Sequence, residues 1–209
     1  MRRRTLVQLA GVFVSTALLV LPVVHAADES PDGLIKRVSA EVLDNIKSDK
    51  SVQAGDMTKV MALVDSQIMP NVNFVRMTAA AVGRSWRQAT PEQQKKLQDE
   101  FKALLIRTYA GALAQVKDQT ISIKPLRAAP TDTEVIVRTE VLSRGDAIQL
   151  DYRLEKVGVA WKIYDLNVLG VWLVETYRTQ FAQEINAKGI DGLIASLAER
   201  NKANAAKKS

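Results

Sequence analysis

The sequence contains no cysteine and only one histidine, and these two scarcities exclude several classes of chemistry. Without a thiol, the chain can form no disulfide bond and has no thiolate nucleophile. The histidine, His25, lies in an N-terminal segment that we expect to be cleaved. The remaining chain then excludes Ser-His-Asp and Cys-His catalysis and any zinc site built from histidine or cysteine. Carboxylate-based hydrolysis and oxygen-ligand metal sites stay open.

Phosphate-binding loops and strong positive charge are also missing. The glycines form neither G-x-x-x-x-G-K nor G-x-G-x-x-G, and the G-x-S-x-G pattern of hydrolases is absent. The formal net charge is +6, and it falls to +3 without the three arginines of the N-terminal segment. Such a charge is well short of a nucleic-acid-binding signature. We therefore expect no nucleic acid partner, no metal ion and no cofactor.

The first 26 residues follow the pattern of a secretory signal peptide. Three arginines precede an apolar run over residues 6–24, and Val24-His25-Ala26 fits a small-x-Ala cleavage site. We predict export of the chain and cleavage after Ala26. The mature chain should then form one α+β domain over residues 27–200, built as a single body or as two intimate lobes, followed by a disordered basic tail at 201–209.

Apolar residues recur at helical spacing through the first half of that domain. They predict four helices, at about 32–49, 57–69, 78–87 and 91–116. The clearest start is a capping box in which Thr90 is the N-cap, Pro91 takes the first helical position and Gln93 completes the motif. Pro70 should stop the second helix. Charged residues of the long fourth helix, Lys102 among them, are interpreted as a solvated outer face.

From Thr120 the apolar period changes to two, which indicates β-strands. Short turns at Gly145-Asp146 and at Gly158 separate alternating segments, so we predict a four-stranded antiparallel meander. The fourth strand, 159–168, is apolar on both faces, and we expect Tyr164, Leu166 and Val168 to face inward. A helix follows to about Lys188, breaks at Gly189 and resumes until Arg200. The predicted fold class is α+β, with several helices packed on the sheet.

Two acids on the predicted strands could support an enzymatic alternative. Asp165 stands inside an apolar run, and Asp151 alternates with apolar residues on the third strand. A carboxylate-dependent hydrolase or isomerase would use one of them as a general acid or base. A structural, hydrogen-bonded role for Asp165 is the simpler interpretation. A third hypothesis is an adaptor protein with a filled core and an exposed apolar patch.

Two stretches carry a family resemblance. The first consists of GRSWR at 83–87, ATPEQ at 89–93 and LLIRTYA at 104–110, and the second of WKIYD at 161–165, GV at 170–171 and YRTQF at 177–181. The chain resembles the MlaC or toluene-tolerance family of periplasmic phospholipid carriers in these motifs, in their order and in length. Leu169 and Trp172 depart from the family pattern, which commonly has Glu and Ser there.

The resemblance implies both a fold and a function. The implied fold is a nuclear-transport-factor-like sheet with helices around a hydrophobic cavity that takes two acyl chains. The implied protein is a periplasmic, non-enzymatic monomer whose cargo is diacyl phospholipid. Its implied partners are an inner-membrane ABC transporter with a substrate-binding ring component and an outer-membrane lipoprotein–porin complex. Together they would maintain the lipid asymmetry of the outer membrane.

Periodicity alone does not distinguish a filled interior from a hollow one. If the interior is hollow, the apolar face of the sheet and the facing helices should form its lining. The predicted lipid-binding residues are Leu105, Tyr109, Val135, Val137, Val141, Ile148, Leu150, Tyr152, Leu154, Tyr164, Leu166, Val168, Val171, Val174 and Tyr177. The methionines Met57, Met61, Met69 and Met77 suit either core filling or a surface that accepts varied apolar shapes.

Overall fold

The computed structural model describes residues 29–143 and 147–206. The predicted signal peptide with its predicted cleavage site, and the predicted turn at Gly145-Asp146, lie outside these ranges. Within them the chain is α+β, with helices before and after an antiparallel sheet, which confirms the predicted class.

The N-terminal helices begin at side-chain caps. Helix α1 (Pro31–Ser48) begins at Ser30, whose hydroxyl accepts a hydrogen bond from the Gly33 amide. Helices α2 (Lys50–Gln53) and α3 (Met57–Leu63) begin after Asp49 and Asp56, which accept backbone amides in the same way. A short helix, α2, thus lies in the interval between the first two predicted helices.

The second predicted helix does not run regularly to Pro70. Helix α3 passes into a π-helical turn at Val64–Ile68 and then into a 3₁₀ turn at Met69–Asn71. After this irregular segment, Asn73 caps helix α4 (Phe74–Val82) by accepting the Arg76 amide. A 3₁₀ turn at Gly83–Arg87 follows.

The long helix α5 (Pro91–Ala114) begins as the sequence predicts. The Thr90 hydroxyl accepts the Gln93 amide at 3.2 Å, and the Gln93 side chain accepts the Thr90 amide at 2.9 Å. This reciprocal pair satisfies two of the amides that a helix leaves free at its start.

Over the described ranges the sheet has five strands in the order of the chain, and every neighbouring pair is antiparallel. The strands are β1 (Thr120–Ile123), β2 (Glu134–Leu142), β3 (Ile148–Val157), β4 (Ala160–Val168) and β5 (Val171–Trp172). The first four correspond to the predicted meander. The two-residue strand β5 is additional, and it pairs with the end of β4 through a tight turn.

A bulge in β4 changes which of its residues share a face. Arg153 pairs with Asp165 and Leu154 pairs with Ile163, so that Tyr164 has no partner on β3. One extra residue in a strand reverses the alternation beyond it. Ile163 and Leu166 consequently lie on the same side of the sheet.

Helix α6 (Leu173–Ala206) closes the fold and is kinked at Gly189, where φ is 72°. The break is where the sequence predicts it. The disordered tail predicted from residue 201 is wrong for 201–206, which continue the helix. Asn201 is buried and donates to the Glu100 backbone carbonyl on α5 at 2.9 Å. Residues 207–209 are not among those described.

In the part of the chain that the structure describes, the buried apolar side chains form three separate clusters. The aromatic cluster consists of Met77, Ala81, Val82, Leu97, Phe101, Leu104, Leu173, Val174, Tyr177, Phe181, Leu193 and Leu197. The sheet cluster consists of Leu34, Ile35, Val38, Val135, Val137, Leu154 and Ile163. The N-terminal cluster consists of Ile46, Val52, Val60, Leu63, Val64, Ile106 and Ala110. Phe101 centres the first, since its ring lies 5.0 Å from that of Tyr177 and 5.2 Å from that of Phe181.

Candidate functional site

An apolar cavity of about 230 Å³ lies where the three clusters meet. Its lining combines residues that belong to, or pack against, each cluster: Val64, Ile68, Met69, Val72, Phe74, Met77, Leu105, Ile106, Tyr109, Leu113, Tyr152, Ile163, Leu166 and Leu173. One further residue, Lys102, completes the set. A domain usually has one contiguous core. In this protein the buried apolar residues form three clusters, and the cavity lies between them.

Helix α5 supplies one wall of the cavity through a stripe at helical spacing. Lys102, Leu105, Ile106, Tyr109 and Leu113 recur every three or four residues and therefore lie on one face. The opposite wall comes from the sheet, and the irregular segment between α3 and α4 closes a side. The site thus depends on elements that are far apart in the sequence.

Four of the predicted lipid-binding residues line this cavity: Leu105, Tyr109, Tyr152 and Leu166. Others lie next to it in the clusters: Val135, Val137 and Leu154 in the sheet cluster, and Val174 and Tyr177 in the aromatic cluster, with Val168 packed against the latter. Val141 and Leu150 are half-buried farther along the sheet. Ile148 and Val171 are exposed, at 42% and 53% of their surface.

Tyr164 lies on the other face of the sheet, away from the cavity lining. Its hydroxyl donates to the Glu134 carboxylate at 2.9 Å, and the Arg76 guanidinium stacks 3.7 Å from its ring centre. Arg76 also pairs with both Glu134 and Glu155. The hydrogen bonds from Arg76 and Tyr164 hold the pKa of Glu134 below its usual value. The inward face expected for Tyr164 is therefore incorrect, because the bulge separates it from Leu166.

The lining residues in the segment 64–77 are not among the lipid-binding residues predicted from the sequence. The signals available there were its methionines, and both Met69 and Met77 line the cavity. Lys102 was also misplaced, since its charge suggested an outer face. Helical spacing from Leu105 and Tyr109 would have put Lys102 on the cavity side of α5.

The tyrosines near the cavity are held in their neutral form. Burial raises the pKa of Tyr152 to about 12. Burial also raises the pKa of Tyr109 and, on the adjacent helix α6, that of Tyr177. The charged phenolate is thus disfavoured in these apolar surroundings.

Neither acid considered for catalysis lines the cavity. Asp165 is 1% exposed, and one of its oxygens accepts the amides of Leu166 and Val174. Its other oxygen accepts from Arg153 at 2.9 Å. Burial raises the pKa of Asp165, and these hydrogen bonds oppose the rise. The carboxylate thus fixes the start of α6 to β4, which is a structural role.

Asp151 is buried in a similar network. Its carboxylate accepts the Thr139 amide at 3.2 Å and the Gln149 side chain at 2.6 Å. Among residues 29–143 and 147–206, no group of three or more acids or histidines is placed to hold a metal ion.

A broader depression of about 710 Å³ lies beside the end of α5. Five of the six residues around it are of polar or charged type, namely Gln115, Lys117, Asp118, Gln119 and Ser143, and the sixth is Ala114. A depression of this composition does not shield hydrocarbon from water. The smaller apolar cavity is therefore the candidate site.

Comparison with known proteins agrees with the resemblance in the motifs. The family model described as "MlaC protein" matches residues 36–199. The toluene tolerance protein ttg2D of Pseudomonas putida is 24% identical over 175 residues, which cover 83% of this chain and 81% of that protein. The intermembrane phospholipid transport system binding protein MlaC of Haemophilus influenzae is 24% identical over 189 residues, 88% of each chain.

A solved structure is also similar, that of a phospholipid-binding protein from Ralstonia solanacearum in complex with a phospholipid. It has a TM-score of 0.82 and 50% sequence identity, and the match covers 83% of this chain and 98% of that one. The family model spans most of the domain and includes every element that lines the cavity. The chain therefore belongs to the MlaC family.

Proposed function

We propose that this protein is a periplasmic phospholipid carrier that binds diacyl phospholipid in the apolar cavity and does not alter it chemically. The observation that carries the proposal is the division of the interior around a space with apolar walls. The Ralstonia solanacearum protein of the same fold, at 50% identity, was solved with a phospholipid bound.

Apolar walls are what the transport of hydrocarbon through water requires. Exposing an acyl chain costs about 0.8 kcal/mol per methylene, so two chains of about fifteen groups would cost about 24 kcal/mol. Non-covalent affinities end near 18 to 21 kcal/mol, so headgroup contacts alone cannot offset that cost. The carrier must replace the membrane interior with side chains, and the cavity lining provides them.

The cavity must widen to accept this cargo. Its volume of about 230 Å³ is below the range of roughly 300–1,000 Å³ typical of small-ligand pockets. Met69 and Met77 in its walls have flexible, unbranched side chains that adapt to new shapes. Separation of the three clusters supports the same idea, because they can move apart without breaking one continuous core.

The proposed cellular role is transfer between the two membranes. The carrier would exchange lipid with an inner-membrane ABC transporter that has a substrate-binding ring component, and with an outer-membrane lipoprotein–porin complex. This traffic would maintain outer-membrane lipid asymmetry. The name of the Haemophilus influenzae relative, an intermembrane transport system binding protein, supports this role. Across residues 29–143 and 147–206, no helix is long and apolar enough to cross a bilayer.

The test is to purify the protein from cells and identify what remains bound. Native mass spectrometry should show diacyl phospholipid at close to one molecule per protein, with the intact lipid mass recovered on extraction. Incubation with phospholipid vesicles should restore the same occupancy to delipidated protein. Protein that stays lipid-free in both experiments would contradict the proposal. Recovery of hydrolysed lipid would favour the enzymatic alternative.

A further inference from the structure

A single charged side chain, Lys102, stands in the lining of the cavity as the described residues form it. It lies on α5 in the same stripe as Leu105 and Ile106. Its side chain is also 31% exposed to solvent. A side chain that both lines the cavity and meets water marks the place where the cavity reaches the surface.

The partner of Lys102 comes from a different wall. Its ammonium lies 2.8 Å from a carboxylate oxygen of Asp65, which is 53% exposed. Asp65 belongs to the π-helical turn Val64–Ile68, and both ends of that turn line the cavity. Such turns are rare and are often found at functional sites. One positive and one negative group are thus placed side by side at the cavity edge.

We propose that Lys102 and Asp65 form the headgroup site of the cavity and favour a zwitterionic phospholipid over a net-anionic one. The lipid phosphate would pair with the Lys102 ammonium, and a cationic headgroup amine would pair with the Asp65 carboxylate. A headgroup without an amine offers nothing to Asp65 and leaves that carboxylate beside the phosphate. This inference rests on the proposed function, since it assumes that acyl chains occupy the cavity.

The energetics suit an exchange of partners. An exposed ion pair between two protein side chains contributes little to stability. Lys102 and Asp65 can therefore release each other at little cost when a lipid supplies charges of opposite sign to both. Discrimination between headgroups is a difference of two affinities, and the carboxylate supplies the unfavourable contact with the wrong one.

The experiment compares headgroup selection between variants. Full-length mature protein is incubated with vesicles of equimolar phosphatidylethanolamine and phosphatidylglycerol, isolated again and extracted for mass spectrometry. Asp65→Asn should raise the bound phosphatidylglycerol-to-phosphatidylethanolamine ratio about threefold, the size expected for one exposed charge contact. Lys102→Gln should move the ratio in the opposite direction, because only the carboxylate remains.

Asp99→Asn is the matched control. Asp99 is on α5, pairs with Lys95 at 2.6 Å and is 57% exposed, which is close to the exposure of Asp65. The ratio should not change in this variant. One outcome would overturn the headgroup site and leave the carrier function standing. In it, all three proteins bind lipid, and the ratio of phosphatidylglycerol to phosphatidylethanolamine bound by Asp65→Asn equals that of wild type and of Asp99→Asn. If wild type binds no lipid at all, the proposed function fails as well.

Discussion

Tyr152 contacts both the cavity and the sheet cluster. Its ring lines the cavity and packs against the sheet cluster, while it pairs with Val137 and Leu166 across neighbouring strands. Burial raises its pKa to about 12, and hydrogen bonding to Ser39 and Thr139 limits the rise. Its hydroxyl is therefore kept protonated by the environment that makes the cavity apolar.

This shift predicts loss of stability at high pH. The pKa of Tyr152 is about 12 in the fold and about 10 in the unfolded chain. A raised pKa gives stability that is complete below pH of about 10 and is lost as pH rises through about 12. The free energy of unfolding in urea should fall over that interval, and less so in Tyr152→Phe. Phenolate absorbance of wild type that shows all four tyrosines ionising together near 10 would contradict this.

Single residues also show when a sequence pattern predicts the direction of a side chain and when it does not. Leu105 and Tyr109 were predicted correctly to face the interior because a regular helix fixes the direction of each side chain. Tyr164 was misplaced because a bulge is set by the pairing of β4 with β3, and no local signal reveals it. Whether these side chains touch lipid stays a prediction.

At the scale of elements, the turn between β4 and β5 is strained. Leu169 has a φ of 54° and Gly170 a φ of 87°, a combination that two-residue hairpins normally build from Asn-Gly. A leucine with positive φ costs roughly 1–2 kcal/mol. The side chain gains little in return, since it is 66% exposed.

Leu169→Asn should therefore raise the free energy of unfolding by about 1 kcal/mol, because asparagine tolerates the left-handed conformation. Chemical denaturation of the two proteins measures the difference. Leu142→Asn is the control, since Leu142 is an exposed leucine in a regular strand and should gain nothing. Equal effects of the two substitutions would mean that the gain in stability comes from replacing an exposed leucine by a polar residue, and not from relief of the strained turn.

Elements with local signals were predictable and irregular ones were not. The capping box at Thr90, the strand alternation and the break at Gly189 each depend on a few neighbouring residues, and all three are present in the structure. The π-helical turn Val64–Ile68 interrupts an apolar pattern that looks continuous in the sequence. Six of the fifteen lining residues come from the irregular stretch 64–77 that includes this turn, so that part of the site was not predicted.

At the scale of the whole molecule, the important feature is the interior divided into three clusters around the cavity. A large side chain placed in that space should compete with the cargo. Leu105 is suitable because it lines the cavity and packs against the aromatic cluster.

Leu105→Trp should weaken phospholipid binding by about tenfold, because exclusion of two methylenes at about 0.8 kcal/mol each is enough for that change. The measurement is the amount of vesicle lipid bound per protein over a range of lipid concentrations. Leu142→Trp adds the same ring at an exposed site away from the cavity and should bind as wild type does. Undiminished binding by Leu105→Trp would show that the acyl chains lie elsewhere.

The long kinked helix at the end of the chain also has a consequence for biosynthesis. Phe101 and Leu97 are covered by Tyr177, Phe181, Leu193 and Leu197, all of which come from α6. A nascent chain that ends before this helix leaves the α6-facing sides of Phe101 and Leu97 open, with residues of α4 and α5 beside them. The largest cluster therefore closes only after α6 itself has been made, so a ribosome-bound chain exposes apolar surface until that helix emerges.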